Sequence, residues 1–200
     1  MLTLVRHAAT DWSGVRYCGR TDVPLSRAGR EQLGQLVDYL SRVALSGTTV
    51  IASPALRSRE TATAITAALG GEARSDGRLR EIDFGDAEGM TFAQLERRWP
   101  SLAPVLLRDD AQVDWPRGEG WSDFAARVGA AWRDLSAEPH DAIVVTHGGP
   151  LRLMLRLALS RWPTSLPAHL GPAHVVRLAD EEGWTVRASW SPASGIAVSS

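Results

Sequence analysis

Leu2-Thr3-Leu4-Val5-Arg6-His7-Ala8-Ala9-Thr10 is the stretch on which the fold turns. Leu2, Leu4 and Val5 are apolar and β-prone, so the run predicts a strand entering a core. It leads directly into an arginine and a histidine, a pair that core packing does not require. In an open α/β sheet, ligands bind outside the carboxyl ends of the strands. Arg6-His7 stands at such an end, and the remaining sequence must supply its partners.

The sequence downstream alternates between helical and strand patterns. Ser26 is a good N-cap for a helix in which Leu33, Leu36, Val37, Leu40, Val43 and Ala44 recur at helical spacing, stopped by Ser46-Gly47. Thr48 to Ala52 reads as a buried strand. Ser53-Pro54 then opens a helix, with proline in its first turn, that runs to Leu69 and ends at Gly70-Gly71. Strand, helix, strand, helix is the order expected of a parallel sheet covered on both faces. The rhythm breaks at Leu79 to Gly85. A short helix follows from Thr91 to Trp99, and then Pro100 to Gly120, rich in Pro, Gly and Asp, reads as a functional flap. A helix from Trp121 to about Ser136 presents Phe124, Val128, Ala131, Trp132 and Leu135 on one face. Ala142 to Thr146 is a buried strand, ending in His147-Gly148-Gly149-Pro150 and a helix from Leu151 to Leu159. His174 to Leu178 and Trp184 to Trp190 read as a closing antiparallel pair. The expected fold is a three-layer α/β/α sandwich with a mostly parallel sheet, one antiparallel edge strand and a flap insertion at about 84–120. It forms one domain over 1–190, with a flexible tail over 191–200.

Composition narrows the chemistry. The 200 residues suit a single domain, and a net charge of −1 gives no overall pull toward nucleic acid or a membrane surface. All 22 basic residues are arginine, which excludes lysine Schiff bases and the P-loop lysine. Cys18 is the single cysteine, so neither an intrachain disulfide nor a cysteine-rich metal site can form. The strand pattern starting at residue 2 predicts no signal peptide. The apolar run Leu151 to Leu159 is interrupted by Arg152 and Arg156, which predicts no membrane span. A cytoplasmic location is the corresponding expectation. Length and charge do not set the oligomeric state.

Three strand ends carry chemistry: Arg6-His7 after the first, Arg57 on the helix after the second, and His147-Gly148-Gly149 after the fourth. A parallel sheet brings all three to one edge. Two histidines and two arginines in one crevice suit a phosphoryl group, because arginine forks bind phosphate oxygens bidentately and a neutral imidazole is a nucleophile near pH 7. A backbone amide at the start of the helix after His147 adds a donor. Glu81 is the candidate acid for the leaving alkoxide. Taken singly, a strand-end histidine is more often structural, Arg57 could be a solvated helix residue and Glu81 a surface charge. Coincidence at four positions is what the bland alternative requires. A metal held by His7, His147 and a carboxylate is disfavoured by the two arginines beside it. His140, His169 and His174 lack comparable contexts and read as structural.

These residues sit in longer motifs. Leu4 to Thr10 resembles the Arg-His-Gly signature of the histidine phosphatase superfamily, the phosphoglycerate mutase-like fold. The likeness continues through Gly19 to Ser26, Ser53 to Ala62, Leu79 to Gly89 and Val144 to Arg152, in the family's order and across most of residues 2–157. The resemblance implies that His7 becomes a phosphohistidine, that Arg6, Arg57 and His147 grip the phosphoryl oxygens, and that Glu81 protonates the leaving group. Water then hydrolyses the intermediate with neither metal nor cofactor. It also places Thr10, Ser13, Cys18, Gly19 and Gly148 against the substrate, a small phosphomonoester. Three departures stand out: Ala8-Ala9 for Gly-Glu, Ser13 for an asparagine that contacts phosphate, and Gly120 for a serine after Glu119.

The small flap favours hydrolysis over phosphoglycerate mutase activity. The Arg16 to Asp22 and Arg80 to Gly85 runs look most like α-ribazole phosphatases. Broad-specificity acid and sugar-phosphate phosphatases share much of both runs, and Ser13 keeps a non-catalytic phosphoester-binding regulatory module in view. Trp99, Trp115 and Trp121 are candidates for an apolar wall around a leaving group larger than glycerate.

Overall fold

A computed structural model describes residues 1–108, 111–138, 141–192 and 198–199. The opening run forms β1 (Leu2–Arg6), between β4 (Ala142–Thr146) and β5 (Val175–Asp180). The sheet order is β3-β2-β4-β1-β5-β6-β7, where β2 is Thr49–Ala52, β3 Ala73–Ser75, β6 Trp184–Trp190 and β7 Val198–Ser199. The β3-β2, β2-β4 and β4-β1 pairs are parallel, so β1, β2 and β4 end on the same edge. Arg6 pairs in register with Thr146 there.

The two-residue period of the strands sorts the core into two halves. Val5, Val50, Ile143 and Val145 face one side, against Leu36 and Leu40 of α1 (Arg27–Val43) and Ile65 of α2 (Leu56–Leu69). Leu4 and Val144 face the other, against Phe124 and Val128 of α5 (Trp121–Ser136) and Leu151 and Met154 of α6 (Gly148–Ala158). Two helical layers thus enclose the sheet, as the alternation predicts. Between α2 and α5 come α3 (Phe92–Arg98), started by a Thr91–Gln94 capping box, and the short α4 (Ala103–Leu106).

Several expectations are corrected. The closing antiparallel pair is present as β5, against β1, and β6, and a further strand, β7, extends that side of the sheet. Val198–Ser199 pairs with Ser189 and Ala188, so the expected tail carries an edge strand, while 193–197 and 200 lie outside the described residues. Ala73–Ser75 is a parallel strand whose three exposed residues carry no apolar pattern. Pro54 precedes the N-cap Ala55 of α2 rather than occupying its first turn. Helix α6 begins at Gly148, three residues earlier than expected, directly at the strand end.

Candidate active site

The strand ends converge as expected. Arg57, in the first turn of α2, is 1% exposed and directs Nε at His7 Nε2, 3.2 Å away. The His7 and His147 rings meet edge-on with centroids 5.1 Å apart. His7 Nδ1 lies 2.7 Å from the Ala8 carbonyl, which can only accept, so Nδ1 carries the proton. Nε2 of neutral His7 therefore keeps its lone pair, and Arg57 donates to it. Burial first, then the charges of Arg57 and Arg6, hold the His7 pKa well below 6.5. Burial and the same arginines do likewise for His147. Both rings are neutral at pH 7.

Two buried nitrogens in this cluster have no partner among the described residues: Arg6 Nε, a donor, and His147 Nδ1, which is a donor when Nε2 accepts from the Ser53 hydroxyl. An unsatisfied buried polar group costs about 1–3 kcal/mol, so two at one spot mark a place built for acceptor atoms. Arg6 is otherwise fixed by NH1 donating to the Leu170 carbonyl at 2.5 Å, and burial lowers its pKa despite Glu81 nearby. His147 Nε2 lies 2.7 Å from Ser53 Oγ and 3.4 Å from Ser58 Oγ.

Arg57 departs from the phosphate-gripping fork the sequence predicts. Its NH1 donates to the Thr21 carbonyl at 3.1 Å, and its NH2 to those of Cys18 and Gly19 at 3.0 and 3.2 Å. With Nε on His7, four of the five N–H groups are engaged among the described residues. Cys18 and Gly19 thus act through main-chain oxygens on Arg57. Burial pushes the Cys18 thiol up to about 11, so it is no thiolate near neutrality. The Glu88 carboxylate ties this loop to the flap by accepting from Gly19 N at 3.0 Å and Thr21 N at 3.1 Å. Thr10 and Ser13 bond one another: Ser13 Oγ accepts from Thr10 N at 2.9 Å and lies 3.2 Å from Thr10 Oγ1. Neither contacts the cluster around His7 by a hydrogen bond.

Glu81 sits at the start of α6. Both its carboxylate oxygens lie 3.2 Å from Gly149 N, and Oε1 also accepts from Ile82 N at 3.1 Å. A methyl group at Gly149 would overlap Oε1, so this helix position must be glycine for the carboxylate to approach. A methyl group at Gly148 would meet the Arg6 guanidinium only at ordinary contact distance.

Glu81 and Gly149 border a cavity of about 510 Å³ with Tyr17, Phe84, Trp115, Trp121 and Phe124 among its walls. A second cavity, about 220 Å³, is lined by Arg6 and Gly148, and both share Gly149, Arg152 and His169. His169 thus borders the site, against its structural reading. His174 is structural: its carbonyl accepts from Arg6 N and its Nε2 lies 2.8 Å from Ser189 Oγ. His140 lies outside the described residues. Trp99 is not in the cavity wall; Arg98 stacks over it at 4.9 Å. Gly120, which departs from the serine common in the family, is the N-cap of α5, and Asp114 accepts from Trp121 N at 2.8 Å in place of a side-chain cap. Among the described residues, no group of three or more His, Cys, Asp or Glu is arranged to hold a metal ion, and no helix is long and apolar enough to cross a membrane.

The sequence matches the histidine phosphatase superfamily (branch 1) over residues 2–191. The chain belongs to that superfamily. A glucosyl-3-phosphoglycerate phosphatase of Mycobacterium tuberculosis is 32% identical over 81% of this histidine phosphatase and 78% of its own length. A bifunctional protein of the same species is 36% identical over 79% of the chain, which spans only 44% of that longer relative. The solved structure of a mycobacterial glucosyl-3-phosphoglycerate phosphatase complexed with VO3 superposes with a TM-score of 0.75 at 28% identity, covering 92% of this chain and 96% of that one.

The sequence marks Ser53 only as a helix opener and gives no signal for Arg127, although a small hydroxyl at a third strand end is a cue to Ser53.

Proposed function

We propose that this histidine phosphatase hydrolyses phosphomonoesters through a phosphohistidine at His7. The observation that carries the proposal is the unprotonated Nε2 of His7 beside two partnerless buried nitrogens, Arg6 Nε and His147 Nδ1. Nε2 attacks phosphorus, the N–P bond forms and the P–O bond to the leaving alkoxide breaks. Glu81 supplies the proton to that oxygen. Arg6 and His147 donate to the equatorial oxygens, and Arg57 adds charge and orients the nucleophile. Water then attacks the phosphohistidine, Glu81 takes up its proton, and inorganic phosphate leaves with His7 restored. The related mycobacterial phosphatase is complexed with VO3, an oxyanion resembling a phosphoryl group, which supports a phosphoryl-binding role for this chain.

The substrate we propose is α-ribazole 5′-phosphate, because the five aromatic side chains beside Glu81 suit a flat, apolar leaving group. A sugar-phosphate substrate has support of its own in the relatives named glucosyl-3-phosphoglycerate phosphatases.

The test is His7→Ala with p-nitrophenyl phosphate, together with trapping of an acid-labile, base-stable phosphoenzyme. Loss of turnover by at least about 10³-fold and of the trapped species is expected; unchanged turnover overturns the mechanism. Binding without turnover by the parent would make it a phosphoester-binding module. A panel of α-ribazole phosphate, sugar phosphates, phosphoglycerates and nucleotides decides the leaving group, and phosphate exchange between positions of phosphoglycerate would indicate a mutase.

A further inference from the structure

Glu81 belongs to a segment with little regular structure, between the 3-10 turn Gly77–Leu79 and the flap. What holds it is a side chain from another element. Arg127, in the second turn of α5, turns its guanidinium onto this segment. Its NH1 donates to the carbonyls of Arg78 and Arg80 at 2.8 and 2.7 Å, and its NH2 to that of Glu81 itself at 3.0 Å. The remaining N–H groups bind the Glu119 carboxylate, Nε to Oε1 at 2.6 Å and NH2 to Oε2 at 2.7 Å. All five guanidinium N–H groups are thereby used.

Glu119 completes the hold from the flap side. Its Oε2 accepts from Asp83 N at 3.2 Å and its own N–H donates to the Asp83 carbonyl at 2.9 Å. The ion pair is shielded, with the two side chains 18% and 11% exposed. Arg127 also lies over the Phe124 ring at 4.9 Å, and Phe124 borders the cavity beside Glu81. Residues 78, 80, 81 and 119 therefore converge on one rigid, planar, permanently charged group, and residue 83 is held through Glu119.

We propose that Arg127, neutralised by Glu119, is a positioning residue for Glu81 that sets where its carboxyl stands relative to the leaving-group oxygen. This rests on Glu81 being the proton donor of the first chemical step. Arg127 does not touch substrate; it acts on the main chain of the acid. A proton donor matters most when the leaving oxygen is strongly basic, so a misplaced acid slows alkyl esters far more than activated aryl esters.

The experiment measures kcat/KM of Arg127→Met and Arg127→Lys across phosphate esters whose leaving groups run from p-nitrophenol to simple alcohols, with Glu81→Gln alongside. Lysine offers three donors without the fork and keeps the charge if the methionine variant folds poorly. The expected result is a loss of about 10²-fold on the alkyl esters and less than about threefold on p-nitrophenyl phosphate. The dependence on leaving-group basicity should steepen toward that of Glu81→Gln, with lysine intermediate. Equal losses across the series, in whichever variant folds, overturn the positioning role. If Glu81→Gln itself shows no steepening, the acid assignment of Glu81 fails, a different outcome from failure of Arg127 alone.

Discussion

Ser53 and His147 are both wholly buried, and their polar atoms meet at 2.7 Å. With the Ser53 hydroxyl donating to Nε2, the proton of neutral His147 resides on Nδ1, the nitrogen without a partner. One serine thus chooses which face of the imidazole can donate. Ser53→Ala leaves only Ser58 at 3.4 Å and should lower kcat by about fivefold, the equivalent of about 1 kcal/mol. Nitrogen-15 NMR of His147 should show mixed tautomers in the variant, and an unchanged single tautomer would count against this role. His7 and His147 were legible in the sequence because a polar residue at the end of an apolar strand is conspicuous. Ser53 was not, because serine before proline is ordinary turn chemistry. Cys18 and Gly19 were legible as positions but not as roles, since they work through carbonyl oxygens that every residue has.

At the scale of elements, α6 starts where the strand stops, and that junction brings Gly148 and Gly149 to the site. Gly149→Ala separates function from folding. Alanine raises helix propensity by about 1 kcal/mol at an exposed position, yet its methyl would overlap Glu81 Oε1. Activity on alkyl phosphates should fall by at least about tenfold, while thermal unfolding shifts by only a few degrees. Unchanged activity would show that Glu81 does not need its place against the helix. β1, β2 and β4 were readable from their apolar runs, and α1 and α5 from their periodicity. β3 was unreadable because a three-residue exposed edge strand has no face to bury. Arg127 was hidden for a related reason: on the polar side of an amphipathic helix an arginine reads as a solvated charge, and only tertiary structure shows the five acceptors that surround it.

For the molecule as a whole, burying neutral histidines ties stability to pH. Burial and neighbouring arginines hold His7 and His147 well below 6.5, and burial, with Arg6, pushes His174 down to about 4. In the unfolded chain all three protonate near pH 6.5. Below that value the unfolded state binds more protons than the folded one. Stability is therefore retained above about pH 6.5 and lost as pH falls, by up to about 1.4 kcal/mol per pH unit for each histidine. Urea midpoints should drop between pH 7 and pH 5, and His174→Gln should flatten that slope. An identical slope in the variant would show that His174 is not among the groups responsible. Because His7 stays neutral through this range, the acid side of the activity profile should not carry a histidine limb near 6.5.

The main-chain hold on Arg57 has a practical side. The carbonyl of residue 18 survives any substitution that leaves the backbone path alone, and the thiol donates to the Thr21 carbonyl at 3.7 Å. Cys18→Ser therefore yields a thiol-free protein with its arginine still anchored. Into that background a single cysteine can be placed on the flap to carry a fluorophore, with no lysine side chain among these 200 residues to take up stray label.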